Sequence, residues 1–354
     1  MSSGDQEHAP PATGTLVGEK YRVLGVVGSG GMGCLVKAQH LLLKKDVAIK
    51  FVMAKRFGTA KRRLLREGRA AQSLASEHVV RVYDLGLHED APYIVMELLE
   101  GTDLAAHVRA RGPLSIADAV DFVLEACVAV AEAHGAGIVH RDIKPANLFL
   151  ARIGTREIVK VLDFGISKVP PSDQNDDPDK TAEDAVLGTP HYASPEQLRN
   201  PTNIDGRADV WSLGVTLFYL LTGEHPFPGS TAREAIAATF GDPPRSVGDH
   251  RPEVPDKLRE AIEKTLAKRP ELRTASVSDL ARELEPFASK RGKIAAQLIA
   301  ERPMSPVTRT ESPPDKAPAE SLTTEESLSS TLSSTEAERD DERKRDRRTS
   351  SRSR

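Results

Sequence analysis

The sequence predicts an α+β protein with two lobes, a small strand-rich lobe followed by a larger and mostly helical one. Two observations lead to this prediction. The spacing of apolar residues changes from strand-like to helix-like near Gly101, and the composition changes near Pro303. With 354 residues, the chain is long enough for one large or two modest globular units plus tails. We therefore expect a folded region over residues 21–287, preceded by a flexible N-terminus over residues 1–20.

Short apolar runs bounded by Gly and polar residues predict the strands of the first lobe. Their expected ranges are 21–27, 34–39, 47–53, 79–87 and 93–98. One helix, over about residues 60–74, interrupts them. The first lobe therefore covers residues 21–97, and a short connection over residues 98–102 leads into the second.

The second lobe, over residues 103–287, is predicted to be helical. Ser115 followed by Asp118 has the spacing of a helix N-terminal cap, and Gly135 ends the same apolar pattern. Thr231 and Glu234 repeat the capping pattern further along the chain. The remaining helices are expected over residues 208–222, 256–267 and 278–288.

The chain after the second lobe changes character. Residues 288–302 are predicted to form a helical extension of the second lobe. Residues 303–354, by contrast, are rich in Ser, Thr, Glu, Arg and Pro and contain few apolar groups. Such a segment cannot bury enough surface to offset its conformational entropy, so we expect a disordered tail.

Bulk properties narrow the classes of function. A formal net charge of -3 gives no indication of a nucleic-acid partner. Cys34 and Cys127 can build neither a disulfide framework nor a zinc site, which fits a reducing, cytoplasmic environment. Acidic residues interrupt the most apolar stretch, over residues 117–136, so we expect a buried amphipathic helix there and no membrane span.

A glycine-rich segment, Gly-Ser-Gly-Gly-Met-Gly over residues 28–33, lies between two predicted strands. Residues without a Cβ allow backbone amides to approach a phosphate chain closely. The same segment could also be a hairpin turn, or the start of a dinucleotide-binding fold. A dinucleotide fold requires a helix directly after the glycines, and the strand pattern at residues 34–38 disfavours it.

Lys50 ends the apolar run Val-Ala-Ile-Lys in the third predicted strand. A lysine there is usually a solvated edge residue. Beside a glycine-rich loop, however, its ammonium group could hold phosphate oxygens, provided that a carboxylate fixes it. Glu67 in the predicted helix is the available partner, although it could equally be an ordinary surface residue.

Two further motifs decide between these interpretations. Residues 140–147 read His-Arg-Asp-Ile-Lys-Pro-Ala-Asn, and residues 163–165 read Asp-Phe-Gly. With these motifs in this order, the chain resembles the eukaryotic-like serine/threonine protein kinases of bacterial type. The resemblance covers residues 21–287 and implies a bilobal protein-kinase fold with antiparallel strands in the N-terminal lobe.

The resemblance implies transfer of the γ-phosphoryl group of ATP to Ser or Thr hydroxyls of proteins, including autophosphorylation. Asp142 would accept the hydroxyl proton, and Lys144 would stabilise charge on the phosphoryl group. Asn147 and Asp163 supply oxygen ligands for Mg2+ or Mn2+. Lys50 would bind the α- and β-phosphates while Glu67 fixes it.

By the same resemblance, the nucleotide lies between the lobes, with Met96 at the gatekeeper position and Leu148 on the floor. Backbone groups of residues 97–99 would contact adenine, and Asp103 the ribose. The expected ATP-binding residues are Val27, Gly28, Ser29, Gly30, Gly31, Met32, Gly33, Cys34, Leu35, Ala48, Lys50, Glu67, Met96, Glu97, Leu99 and Asp103.

Regulation is expected in the segment after Asp163. In such kinases the arginine before the catalytic aspartate, here Arg141, pairs with a phosphate on the activation segment. Thr181 is the first candidate phosphosite and Thr189 the second. Ser194 stands where the family usually has Ala, a departure that keeps the following Glu196.

Structural support is also implied for the second lobe. Arg273 is placed to pair with Glu196, and Asp209 to brace the backbone of the catalytic loop. Protein substrates bearing Ser or Thr are the expected partners, and a phosphopeptide-reading protein is a further expected partner for the tail. A nucleotide-binding but inactive scaffold and a dinucleotide-dependent oxidoreductase remain as alternatives.

Overall fold

The fold is given by a computed structural model, which describes residues 10–30, 33–52, 72–89, 91–163, 190–202 and 204–302. Strands dominate up to Glu97 and helices dominate after Asp103. The strands are β1 (Leu16–Val17), β2 (Tyr21–Gly30), β3 (Gly33–His40), β4 (Asp46–Val52), β5 (Val82–His88), β6 (Ala91–Glu97), β7 (Gly101–Asp103), β8 (Leu148–Ile153) and β9 (Arg156–Val161). The helices are α1 (Leu104–Arg111), α2 (Ile116–Gly135), α3 (Pro195–Arg199), α4 (Arg207–Thr222), α5 (Ala232–Gly241), α6 (Val247–His250), α7 (Asp256–Thr265), α8 (Val277–Leu284) and α9 (Lys290–Ala300).

The N-terminal lobe is built on one antiparallel sheet with the strand order β1-β2-β3-β4-β6-β5. Side chains alternate between its two faces, as the pleat of a strand requires. One face forms a core cluster that includes Val23, Val36 and Ile49, and the other includes Ala48 and Met96. The five strands predicted for this lobe are all present, with bounds shifted by a few residues.

The structure corrects the expected flexible N-terminus for residues 16–17. These residues form β1, and Val17 is fully buried against β2. Gly18 has φ +54°, and a Cβ at this position would lie 2.2 Å from the Tyr93 hydroxyl oxygen. Glycine therefore allows both the turn and the close approach of the ring. A strand of two residues is too short to give a recognisable sequence pattern.

A second antiparallel sheet, with the order β7-β8-β9, was not predicted from the sequence. Its strand β7 begins inside the expected connection at residues 98–102. Strands β8 and β9 form a tight hairpin in which Gly154 has φ +61°. Strands β8 and β9 carry the chain from the loop over residues 140–147 to Asp163, so this sheet positions both segments.

The C-terminal lobe packs its helices around α2 and α4, which are buried along most of their length. Trp211 is fully buried and stacks on Phe227 with ring centroids 5.3 Å apart, as expected for core packing. The predicted caps are confirmed, because Ser115 accepts the N–H of Asp118 and Thr231 accepts that of Glu234. The predicted helix over residues 278–288 ends earlier, at Leu284, since Pro286 follows.

Several predicted features lie outside the described residues. They are residues 60–71 of the predicted helix with Glu67, the loop residues Gly31 and Met32, the segment 164–189 with Thr181 and Thr189, and the tail over residues 303–354. Within the described ranges, none of the helices combines the length and the hydropathy needed to cross a bilayer. Residues 288–302, expected to be a helical extension, contain α9.

Candidate active site

Asp209, in the first turn of α4, holds the backbone of the loop between α2 and β8. The carboxylate accepts the backbone N–H groups of His140 and Arg141, each at 2.8 Å, and so confirms the predicted brace. His134 Nε2 lies 2.7 Å from the same carboxylate. Burial alone would raise the pKa of Asp209, but the hydrogen bonds from His134 and from the backbone lower it below its usual value.

Two residues of this region adopt left-handed backbone conformations. Arg141 has φ +67° and Asp163 has φ +49°. For residues with a Cβ such conformations cost on the order of 1–3 kcal/mol each, and they persist only where the surroundings impose them. The bonds from Asp209 impose the conformation at Arg141, which fixes the direction of the residue that follows.

Asp142 is oriented by two neighbours in the loop. Lys144 Nζ lies 3.1 Å from Asp142 Oδ2. The side-chain amide of Asn147 donates to the backbone carbonyl of Asp142 at 2.7 Å and to its Oδ2 at 3.1 Å. Because both partners bind the same oxygen, Oδ2, the direction of the carboxylate is fixed.

His140 connects this loop to the strand that leads to Asp163. Its Nδ1 accepts the backbone N–H of Asp142 at 3.2 Å, so the proton of the neutral ring is on Nε2, 3.0 Å from the carbonyl oxygen of Leu162. Burial lowers the pKa of His140, against the nearby carboxylate of Asp209, and keeps the ring neutral. The Leu162 N–H in turn donates to Asn147 O at 2.8 Å.

The two lobes meet at an ion pair between Lys50 and Asp163. Lys50 Nζ lies 2.6 Å from Asp163 Oδ1. Lys50 is in the middle of β4, where it pairs with Leu35 on one side and Ile94 on the other. The strand therefore fixes its backbone, and the side chain brings a cation to the end of β9. Glu67, the expected partner of Lys50, lies outside the described residues.

Most of the expected adenine-pocket side chains share one apolar cluster on the inner face of the sheet. Ala48 and Met96 belong to this cluster, and Leu35 and Leu99 pack against it. Leu148 is fully buried in the core of the other lobe, and Val27 is 56% exposed.

The structure shows the surroundings of three residues that were expected to contact the nucleotide. Cys34 packs in the cluster on the outer face of the sheet, so only its backbone faces the glycine-rich hairpin. Asp103 caps α1 through its Oδ1, which accepts the Ala106 N–H at 2.8 Å. Gly28 pairs with Leu35, and a Cβ added at Gly28 would meet no described heavy atom within 4 Å. The hairpin thus faces space that phosphate groups could enter.

The expected metal ligands suit a cation that arrives with a nucleotide. Within the described ranges, no cluster of three or more His, Cys, Asp or Glu side chains could hold a metal by itself. Asn147 and Asp163 provide oxygen atoms, and Mg2+ is commonly held by one or two such groups plus substrate phosphates. Because the Asn147 amide nitrogen is used by Asp142, its Oδ1 is the atom suited to a cation.

One contributor to the site was missed in the sequence. Ser194 and Gln197 form a capping box at the start of α3, and Gln197 Nε2 also donates to the Arg141 carbonyl oxygen at 2.9 Å. The Ser-x-x-Gln spacing could have revealed this cap. The unusual Ser194 thus has a structural role in supporting the loop. The predicted pair between Arg273 and Glu196 is confirmed, with distances of 2.7 and 3.1 Å.

A strand-rich lobe and a helical lobe that bring a lysine and an aspartate together beside a His-Arg-Asp loop are typical of the protein kinases as a class. The chain belongs to this family, since the protein kinase domain model matches residues 21–284. The match covers both lobes and ends at the last residue of α8.

Bacterial serine/threonine-protein kinases are among the similar proteins. Serine/threonine-protein kinase PrkC of Bacillus subtilis is 36% identical over 272 residues, which cover 75% of this chain and 40% of the relative. Pkn1 of Myxococcus xanthus is 33% identical over 312 residues, covering 87% and 44%. PknB of Mycolicibacterium smegmatis is 35% identical over 272 residues, covering 75% and 42%. The chain spans less than half the length of each of these relatives.

Proposed function

We propose that the chain is an ATP-dependent protein kinase that phosphorylates Ser or Thr hydroxyls of proteins. The observation that carries this proposal is that hydrogen bonds join two groups of charged residues. Asp142 with Lys144 and Asn147 forms one group, and the Lys50–Asp163 pair forms the other. Leu162, the neighbour of Asp163, bonds both His140 and Asn147 of the loop. The names of the bacterial relatives support Ser/Thr specificity, as does Lys144 at two residues after Asp142.

Asp142 acts on the nucleophile. Its oriented carboxylate accepts the proton of the substrate hydroxyl while the hydroxyl oxygen attacks the γ-phosphorus. The O–H bond breaks, a new O–P bond forms, and the bond to the β-phosphate oxygen breaks to release ADP. Lys144 stabilises the negative charge on the transferred group from the same side, since its ammonium is already 3.1 Å from Asp142.

Lys50 and the inner face of the sheet bind the nucleotide. Its ammonium group exchanges the Asp163 carboxylate for phosphate oxygens, and the apolar cluster around Ala48 and Met96 covers the base. The backbone of residues 97–99 contacts adenine, and Asp103 uses Oδ2 for the ribose. Asn147 and Asp163 would hold a divalent cation, Mg2+ or Mn2+, which would supply positive charge to neutralise the phosphates.

Regulation and partners belong to the same proposal. Arg141 binds phosphate on Thr181 or Thr189, which orders the activation segment for substrate. The domain extends over residues 21–287, residues 288–302 extend it, and the tail over residues 303–354 is a target for a phosphopeptide-reading protein. A cytoplasmic location and the absence of a nucleic-acid partner stay predictions from the composition.

The Asp142→Asn variant tests the proposal directly. Purified protein is incubated with γ-labelled ATP, Mg2+ and a mixture of Ser- and Thr-containing peptides. We expect the variant to lose at least about a hundredfold in initial rate, because the amide cannot accept the proton. Asp249→Asn, the same change on an exposed surface, should transfer label at the wild-type rate.

Three results would contradict the proposal. Equal labelling by wild type and Asp142→Asn would show that this carboxylate takes no part in transfer. Wild-type protein that binds ATP but labels no peptide would indicate a scaffold. Phosphoamino-acid analysis that finds only phosphotyrosine would overturn the Ser/Thr assignment.

A further inference from the structure

A cavity of about 200 Å³ opens beside the loop between α2 and β8, which contributes Lys144, Pro145 and Ala146 to its lining. Its wall runs from α1 across the loop to α4. Its lining residues are Ala105, Arg109, Lys144, Pro145, Ala146, Tyr192, Tyr219 and His225. This volume is smaller than the roughly 300–1,000 Å³ of small-molecule sites, so it suits one side chain of a bound peptide.

The charge of the cavity is positive. Among the described residues that line it there is no Asp or Glu, whereas Arg109 and Lys144 are cationic. Lys144 is paired with Asp142, and Arg109 forms no ion pair with any described carboxylate. Arg109 is exposed in the last turn of α1. The arrangement therefore presents one guanidinium group to an incoming anion.

The other walls shape the cavity without adding charge at neutral pH. Tyr192 and Tyr219 contribute rings, and Ala146 contributes only a methyl group, which leaves the space open. His225 is stacked against Tyr219, with centroids 5.4 Å apart. Burial, together with His191, lowers the pKa of His225 to about 4, so this wall is neutral.

The cavity lies close to the position of the phosphoacceptor. Lys144 lines it and also contacts Asp142 Oδ2 at 3.1 Å. Arg109 lines the same cavity of about 200 Å³. An extended peptide advances about 3.3 Å per residue. A side chain that enters this cavity and reaches Arg109 therefore belongs to a residue within about three positions of the phosphorylated hydroxyl.

We propose that Arg109 and this cavity, hereafter the Arg109 pocket, select substrates with an anionic side chain within three positions of the phosphorylated Ser or Thr. The inference rests on the proposed kinase function and adds a substrate class to it. Guanidinium groups bind carboxylates and phosphates through paired N–H donors, and such charge-assisted bonds are stronger than neutral ones.

A peptide series tests the proposal with the full chain. The parent peptide has one threonine among alanines, and each variant carries a single Asp at one of the three positions on either side. At one position we expect Asp to raise kcat/KM about fivefold or more over Ala, and Lys to lower it. A second series with Ser as the acceptor repeats the comparison.

The Arg109→Glu variant and its control assign the preference to the pocket. We expect Arg109→Glu to reverse the order, so that the Lys peptide becomes better than the Asp peptide. Arg111→Glu makes the same charge change on the same exposed end of α1 but outside the pocket, and it should keep the wild-type order. Equal loss of preference in both variants would mean that only overall charge matters, and would overturn the proposal.

A peptide with phosphoserine in place of Asp distinguishes a phosphorylated side chain from an acidic one as the group that the pocket binds. A further gain over Asp at the same position identifies a substrate that is phosphorylated beforehand, and equal rates identify acidic sequences; both support the pocket. Measurable phosphorylation with no preference at any position contradicts the Arg109 pocket but leaves the kinase function intact. No phosphorylation of any peptide contradicts the kinase function itself.

Discussion

At the scale of single residues, His225 shows how a partly buried ring couples charge to folding. It stacks on His191 with centroids 4.4 Å apart, and its Nδ1 is buried without a hydrogen-bond partner among the described groups. Burial is the main reason that its pKa falls to about 4, and His191 lowers it further. The unfolded chain, with a histidine pKa of about 6.5, binds the proton more readily.

The pH dependence of stability follows from this difference. Because the folded pKa is the lower one, the free energy of unfolding should fall as pH drops from about 6.5 to about 4, with a slope of up to about 1.4 kcal/mol per pH unit from this group. Denaturant unfolding at several pH values in that window measures the slope. His225→Phe keeps the stacked rings and should reduce the slope of stability against pH. His107→Phe should leave this slope unchanged. An unaltered slope in His225→Phe would refute the assignment.

The sequence predicted which residues of the site lie close together better than how its side chains pack. Asp142, Lys144 and Asn147 were found because a continuous motif places them within one loop, so their proximity is local. Cys34 was expected at the nucleotide because it follows the glycines, yet its side chain lies on the outer face of the sheet. The face of a strand residue depends on register and bulges, and β2 has irregularities at Val23/Gly25 and Val26/Gly28.

At the scale of elements, α9 is attached to the kinase domain by buried charge. Arg291 binds both carboxylate oxygens of Glu125, at 2.5 and 2.6 Å. Glu125 on α2 also accepts the backbone N–H of Val159 in β9 at 2.7 Å. Ser289 donates its backbone N–H to Asp121 Oδ1 at 2.9 Å. A helix beyond the matched family region therefore supports the strand that leads to Asp163.

The Arg291→Ala variant should destabilise the fold strongly. Glu125 is 4% exposed, and the substitution removes the cation that binds both of its carboxylate oxygens, for which we expect a loss of about 3 kcal/mol in the free energy of unfolding. Chemical denaturation measures this loss. Lys293→Ala, two residues further along α9 and exposed, should change stability by less than about 0.5 kcal/mol. Equal effects of the two substitutions would show that the Glu125 pair contributes nothing specific.

Element prediction succeeded where the signal is local. Ser115 and Thr231 start helices because their side chains bond the backbone three residues further on, which a short sequence window contains. The sheet of β7, β8 and β9 was missed because β7 pairs with β8 across α1 and α2. Its three residues carry no pattern of their own, and the pairing partner is distant in sequence.

At the scale of the whole molecule, a buried ion pair links the strand-rich lobe to β9. Lys160 Nζ lies 2.8 Å from Glu97 Oε1, and the lysine side chain is only 6% exposed. The same Glu97 oxygen accepts the backbone N–H of Arg81 at 2.8 Å. Val80 N–H donates to Val161 O at 3.2 Å beside this pair. Glu97 ends β6, so the pair fixes the start of the connection between the lobes.

A double-mutant cycle over Lys160→Met and Glu97→Gln tests this link. Each single change removes one charge of the ion pair, whereas the double change removes both charges. We expect a coupling energy of about 1–3 kcal/mol in the free energy of unfolding. The Lys160→Met variant should also raise the KM for ATP, because the backbone of residues 97–99 loses its anchor. Additive stabilities within about 0.5 kcal/mol would contradict the link.

The division into two lobes was predictable because periodicity changes from two to 3.6 residues at one place in the chain. How the lobes meet was not predictable in the same way. The contacts that join them, Lys50 with Asp163 and Lys160 with Glu97, pair residues from distant strands. Lys50, Lys160 and Glu97 alone are ordinary charged side chains on strands, and Asp163 follows the end of β9.

The left-handed backbones at Arg141 and Asp163 have a consequence for the evolution of this chain. A glycine at either position would adopt the same φ without steric cost and would therefore relax the native state. Selection for heat resistance alone would favour that exchange, whereas selection for turnover opposes it, since each exchange discards a charged group of the cleft. Selection for stability and selection for turnover therefore act in opposite directions at positions 141 and 163.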